Sequence, residues 1–281
     1  LGDTDLSQLN LLLRRFLKDQ GVLEEIAQIK QLDGRAQWAL VLGETLNAIK
    51  VRALARDIRL VAHYGRIPFP VSIDKGDSSY DGEEISFQNL HGKIGRSTFS
   101  GLKAEIKLKK EPYLEIQSEE CSIMLDELPF YGSLGEVLKK VLREATSLKG
   151  VVHLSRMRMN GPLNRPKDWR FELVGDWQGV SLDTYFVPGT LTSPRGKFRA
   201  DPKTITLSDV EGYVLNAFIH VSGTLSNYLN KLDRVELDID GKVTPGEIRW
   251  LFDSLKVKKE IPIRSSLSFS RAHLSWRRRG D

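Results

Sequence analysis

From residue 84, apolar and polar positions alternate: Ile85, Phe87, a skipped step at Gln88-Asn89, then Leu90, Gly92 and Ile94. The same plan returns from residue 204: Ile205, Leu207, a skipped step at Ser208-Asp209, then Val210, Gly212 and Val214. The offset is 120 residues (212 − 92). A period of two is that of a strand with one apolar face. A skipped step between two such runs marks a turn or bulge that restores the face. Upstream, at the same offset, Ile67-Pro68 faces Val187-Pro188 and Gly76 faces Gly196. Earlier still, residues 31–43 resemble 147–161, with Gly34 facing Gly150.

Other stretches alternate as regularly. Leu102, Ala104, Ile106 and Leu108 interleave with Lys103, Glu105, Lys107 and Lys109. Ala217, Ile219, Val221, Gly223 and Leu225 interleave with Phe218, His220, Ser222 and Thr224, and Val235, Leu237 and Ile239 with Glu236, Asp238 and Asp240. One dry face and one wet face is the signature of antiparallel strands rather than of a buried parallel sheet. Turn signals fall at Gly82, Asn89, Asn160-Gly161, Pro188-Gly189, Asp201-Pro202 and Asp240-Gly241.

Helical spacing is confined to four places: 6–19, 22–32, 133–145 and 244–257. Ser133 with Glu136 makes a capping-box pattern, and Thr244-Pro245-Gly246-Glu247 supplies an N-cap, a first-position proline and a glutamate in the first turn. The expected organisation is therefore a first repeat unit over 1–132, a second over 133–243, and the helix and first strand of a truncated third over 244–281. A strand at 265–276 follows the last helix.

These helices are too few for the strands. Roughly fifteen to twenty strands of ordinary length are expected, and four short helices cannot roof that much apolar face. The face closes as a barrel, packs on a second sheet, or stays open as a trough. End-to-end repetition favours the trough. The expected fold class is mainly β with a few helices: repeated antiparallel one-faced strands form an extended, curled β-groove, with helices between units. Its floor comprises Leu102, Ile106, Leu108, Ile205, Leu207, Ile219, Val221, Val235, Leu237 and Ile239. An exposed apolar surface of that size suits acyl chains, each buried methylene contributing about 0.8 kcal/mol.

Composition changes this picture little. The 281 residues carry a net charge of +5, much of it in Arg277, Arg278 and Arg279, which is weak support for an acidic partner. Wet strand faces mix Lys with Glu and Asp rather than Arg with aromatics, which argues against nucleic acid. The single Cys121 lies in an apolar run and is read as a buried thiol. His91, His153 and His220 fall on wet faces, and no histidine pair has metal-ligand spacing. "DIDG" at 238–241 resembles part of a calcium loop, lacks the remaining ligands, and is read as a hairpin turn. Residues 102–110 carry four lysines, read as a solvated strand face. Trp169, Trp177, Trp250 and Trp276 are groove-rim or core aromatics, with core the favoured reading. No metal or cofactor site and no convergent polar site is expected, hence no enzyme. No apolar run is long enough to span a bilayer as a helix, and the start at Leu1 reads as that of an excised piece.

The string "KTITLSDVEGYVLNAFIHVSGTLSNY", set among capped helices and one-faced strands, resembles the AsmA-like proteins of Gram-negative envelopes, including the TamB and YhdP branches. Units of this kind cover nearly all of the chain. The resemblance implies a repeating β-groove protein in the periplasm. Its parent would be anchored in the inner membrane and would carry phospholipid tails towards the outer membrane. It also implies contact with both membranes, and with envelope protein partners, through parts of the parent outside this chain. The TamB branch implies an alternative: a scaffold that handles outer-membrane proteins by strand addition.

Overall fold

The computed structural model describes residues 2–5, 20–41, 52–65, 67–108, 110–130, 145–165, 168–184, 189–229, 232–254 and 264–278. The protein is mainly β, with fifteen strands, two α-helices and a 3₁₀ turn among the described residues. Wherever the register of paired strands is described, the pairing is antiparallel. The chain divides into two units. The first comprises residues 1–123, 130–133 and 153–173; the second comprises 124–129, 134–152 and 174–281.

The first unit contains β1 (Gly2–Asp5), β2 (Ile29–Val41), β3 (Arg52–Tyr64), β4 (Val71–Tyr80), β5 (Glu84–Ile94), β6 (Ser97–Lys107), β7 (Tyr113–Ser118), nearly all of β8 (Glu120–Met124) and the later part of β9 (Ala145–Pro162). They pair in chain order, except that β7 passes to β9 while β8 pairs with both β6 and β9. The second unit contains the start of β9, most of β10 (Arg170–Thr184), then β11 (Thr190–Ala200), β12 (Thr204–Val214), β13 (Ala217–Ser226), β14 (Arg234–Val243) and β15 (Leu267–Arg277), also paired in chain order. Helix α1 (Gln20–Ala27) precedes β2, and α2 (Pro245–Ser254) precedes β15.

The 120-residue repeat is present in backbone detail. β5 and β12 span 84–94 and 204–214. Both break register at the same place: Leu207 faces Gly223 and Val210 faces Val221, while Phe87 faces Ala104 and Leu90 faces Leu102. The extra residue is a β-bulge, and Asn89 and Asp209 take left-handed φ values of 51°. Asn and Asp tolerate that region better than other side chains do. The turn before each strand repeats too. Asp81 Oδ1 accepts from the N–H groups of Glu83 (3.0 Å) and Glu84 (2.9 Å). Asp201 Oδ1 accepts from Lys203 (2.7 Å) and Thr204 (2.9 Å). Both are Asx turns, in which the side chain satisfies the tight hairpin.

Several expectations are corrected. Helix α1 ends at Ala27 rather than near 32, because Leu32, Gly34, Ala36 and Trp38 alternate and belong to β2. Asn89 is a bulge inside β5, not a turn. Asn160-Gly161 and the "DIDG" of 238–241 lie inside β9 and β14. There the glycine makes room rather than a turn: a Cβ on Gly161 would come within 2.3 Å of the Trp169 ring. One on Gly241 would come within 2.9 Å of Phe218 O and 3.0 Å of the Phe269 ring. Of the four lysines in 102–110, Lys103 and Lys107 are on β6, Lys110 lies beyond it and Lys109 is outside the described residues. The helices at 6–19 and 133–144 and the pair Val187-Pro188 also lie outside the described residues. Ala145, expected to end a helix, opens β9.

The described residues form little core. A small cluster joins Ala36 and Ile58 to Leu32, Ala55, Leu60 and Ile73. The buried apolar side chains are mostly small: Ala36, Ala62, Cys121, Ala200 and Ala217, with Ile58, Leu154, Val221 and Ile248. No large side chain among the described residues is under 2% exposed. A folded domain of this length ordinarily holds many such residues.

Candidate functional site

Antiparallel register decides which side chains share a face, because directly paired residues point the same way. In the second unit, Ala200 pairs with Ile205, Ile205 with Leu225, Leu225 with Val235, and Val235 with Trp276. The next row runs Phe198, Leu207, Gly223, Leu237, Leu274. Beyond the bulge it continues as Val210, Val221, Ile239, Ala272. Ile219 then pairs with Gly212 and Gly241, and Val243 with Leu267. All seven floor residues expected in this unit, Ile205, Leu207, Ile219, Val221, Val235, Leu237 and Ile239, share this one face.

The first unit repeats the arrangement. Ala53, Tyr80, Ile85, Ile106, Leu114 and Gly161 form a row across six strands. Ala55, Ser78, Phe87, Ala104, Ile116 and Met159 form the next. Ile106 and Leu102 lie on this face, and Leu108 is half-buried just past the end of β6.

The bulge keeps the face apolar. Without the extra residue, Val210, Gly212 and Val214 would face the wet side. Trp177 on β10 braces the region from the neighbouring strands. Its ring lies over Gly196, where a Cβ would approach within 2.2 Å. Its Nε1–H donates to Ser193 Oγ at 2.8 Å, and Ser193 Oγ donates to Glu211 O at 2.6 Å. Phe198 sits beside the ring at 6.0 Å. The sequence reading of Trp177 as a packed aromatic fits this position. Trp276 differs: it is 46% exposed at the edge of the apolar face. Leu267 (50%) and Leu274 (46%) accompany it on β15. The described strands of each unit form a single sheet layer, and most of the large side chains in these rows are half-buried.

The opposite face is wet and charge-paired. Arg195 meets Glu211, and Lys197 Nζ is 2.9 Å from Asp209. His220 lies 4.0 Å from Asp240 and His273 2.9 Å from Asp238. Hydrogen bonding from Lys197 holds the Asp209 carboxyl below its ordinary value, and Arg195 does the same for Glu211. In the first unit Lys107 Nζ is 2.9 Å from Glu115, whose hydrogen bond raises the lysine. Exposed pairs of this kind contribute little to stability. They keep the two faces of the sheet distinct.

The histidines are more engaged than a solvated surface requires. His91 is bonded to Ser100 Oγ (3.0 Å) and Asn89 Oδ1 (2.8 Å), and His153 to Ser122 Oγ (2.9 Å). These tie neighbouring strands on the polar side. Cys121 is buried, and loss of water around it pushes its thiol up, the opposite of an activated nucleophile. No metal-binding cluster occurs among the described residues. No helix among them is long and apolar enough to cross a membrane.

Sequence reasoning missed the role of Glu247 beyond its helix cap. It is 6% exposed and accepts from Thr244 N (2.7 Å), from Thr244 Oγ1 and from Asn216 N (3.1 Å). It therefore closes the first turn of α2 and the β12–β13 hairpin together. Glu127, 120 positions earlier (247 − 127), is buried at 4% in the 3₁₀ turn Leu125–Phe130. The recurrence of a glutamate after each set of strands was the available signal.

Comparison with models of known protein families, with curated proteins and with solved structures finds no match.

Proposed function

We propose that this chain is a segment of an envelope lipid-transport protein of the AsmA-like kind, whose apolar strand faces hold phospholipid acyl chains. The observation that carries the proposal is the continuous dry face: rows of Ile, Leu, Val and Phe side chains run across successive strands of one sheet layer, most of them half-buried. Acyl chains fit such a face by partition. About 0.8 kcal/mol accrues per buried methylene, so contact along the chain outweighs any single hydrogen bond at ~0.5–1.5 kcal/mol. The absence of one strong site would let a chain slide. Headgroups would stay at the open edge, in water. In this reading the work is done in the periplasm, and the parent protein supplies the inner-membrane anchor and the contacts with both membranes.

The test is photo-crosslinking in membranes, from Ile219 and Leu237 on the dry face and from Lys103 and His220 on the wet face. Lipid is captured from the first pair and not from the second. Capture from the wet pair alone would reverse the assignment of faces. Replacing Ile219 or Leu237 by Asp should lower lipid capture roughly tenfold or more, because a charge stranded against hydrocarbon costs several kcal/mol. Folding yield should change far less, since both positions are only half-buried.

A scaffold that receives strands of outer-membrane proteins is the second reading. It is favoured by β15, whose residues are almost all exposed. Capture of an unfolded outer-membrane barrel protein with no bound lipid would select it over the first.

A further inference from the structure

On the wet face of the first unit, a serine, a histidine and an asparagine are joined in series. Ser100 on β6 reaches across to β5, where its Oγ lies 3.0 Å from His91 Nδ1. His91 Nε2 lies 2.8 Å from Asn89 Oδ1. An amide oxygen only accepts, so Nε2 carries the ring proton and donates to Asn89. In the neutral ring Nδ1 is then the acceptor, and the Ser100 hydroxyl donates to it. A base thus rests on a hydroxyl nucleophile while a third group holds the ring. Asn89 is itself fixed by its backbone, at the left-handed φ of 51° in the β5 bulge.

The second unit builds the same strand pair without this arrangement. The counterparts 120 residues on are Asp209, Glu211 and His220, and the two carboxylates are taken by Lys197 and Arg195. The backbone departs from the repeat at the same place. Leu90 and Gly92, two apart, face Leu102 and Phe99, three apart, so β6 carries an extra residue at Ser100-Gly101. Val210 and Gly212 face Val221 and Ile219 with none. Gly101 takes a φ of 63°, and a Cβ on it would meet no heavy atom within 4 Å. Bulges re-aim side chains and are over-represented beside active sites. Here the space next to the hydroxyl is open, and Ser100 and His91 are only half-buried. Lys75 pairs with His91 and Glu120 with Ser100, so exposed charges of both signs flank the two.

From this geometry we infer that Ser100 is the nucleophile of an acyl-transfer site, with His91 as its base and Asn89 as a positioning residue. The flanking charges and the wet surroundings select a short, water-soluble carboxylic ester. Ser100 Oγ bonds to the carbonyl carbon while its proton passes to His91 Nδ1. The bond from that carbon to the alkoxy oxygen then breaks, and the departing oxygen takes the proton and leaves as the alcohol. Water attacks the acyl-serine by the same route. It gives a proton to His91, and the acid is released as the Ser100 hydroxyl re-forms. The site lies on the face opposite the apolar rows, so the inference goes beyond lipid carriage and does not rest on it.

Labelling of the whole chain with a fluorophosphonate, read by peptide mass spectrometry, tests it. Ser100 Oγ should displace fluoride from phosphorus and carry the label. Ser122 is an internal control: its Oγ lies 2.9 Å from His153 Nδ1, but no third group holds that ring among the described residues, and it should stay unlabelled. His91→Gln should slow labelling of Ser100 roughly 100-fold or more, the usual contribution of a positioned base. Asn89→Gly keeps the left-handed backbone but removes the ring's partner, and should slow it too. Asn89→Asp places an accepting oxygen there and should keep the wild-type rate. The part of p-nitrophenyl acetate hydrolysis that is lost in Ser100→Ala should follow the same order. Circular dichroism should be unchanged in every variant. No label on Ser100, equal label on Ser122, or labelling indifferent to His91→Gln would each overturn the inference. Lipid crosslinking from Ile219 reports the dry face separately, so the failure of one idea is distinguishable from that of the other.

Discussion

Asn89 and Asp209 do the same work 120 residues apart. Each holds a left-handed φ that lets one strand absorb an extra residue and return its apolar side chains to the dry face. An alanine in that conformation costs about 1–2 kcal/mol, whereas glycine adopts it freely. Asn89→Ala should therefore lower unfolding free energy by roughly 1 kcal/mol or more in urea titrations, and Asn89→Gly by a few tenths at most. Equal losses for the two would mean that the bulge does not depend on backbone conformation. The skipped step was legible in the sequence because the period resumed in phase after it. The glycines were not: Asn160-Gly161 and Asp240-Gly241 read as turns because an Asx-Gly pair looks the same whether it reverses the chain or clears space. What distinguishes them is a ring from elsewhere in the chain, Trp169 just before β10 or Phe269 on β15, whose position no local pattern states.

At the scale of the element, hairpins and helix starts are closed by carboxylates. Asp81 is held below its ordinary value chiefly by the N–H groups of Glu83 and Glu84. Glu247 is held low chiefly by the Thr244 hydroxyl, with further donation from backbone N–H groups of Thr244 and Asn216. A carboxyl depressed in the folded state contributes stability that is present above its unfolded value and lost as pH falls through its folded one. Stability of the protein should thus decline on acidification from the ordinary Glu value of 4.5 downward. Glu247→Gln should be less stable than wild type at neutral pH, with the gap narrowing towards pH 3, in urea midpoints followed by circular dichroism. A gap independent of pH would remove the carboxylate from the explanation. The helix cap at Thr244 was readable from four consecutive residues. The second bond, to the hairpin at Asn216, was not, because it joins positions 31 residues apart.

At the scale of the whole molecule, alternation along single strands was enough to collect the dry-face residues. Register then brings them into rows, a property of pairing that one strand cannot carry alone. The expectation that strands outnumber covering helices fits the scarcity of deeply buried side chains among the described residues. One consequence is that amphiphiles should act as ligands of the folded state. A detergent monomer that binds the dry face raises the melting temperature below its micelle threshold, whereas a face sealed by protein gives no such rise.

The repeated bulge carries a further implication for how such a chain lengthens or shortens. Because Ser86 and Leu207 occupy successive positions of one shared template, removing residues 87–206, which is 120 residues, splices two half-strands without disturbing phase. Such an excision should yield a smaller protein that still folds, whereas excising 119 or 121 turns every later side chain of that strand inside out. The twin kink thus acts as a reading frame for structure: a change of length here keeps the dry face only if it keeps the strand in phase.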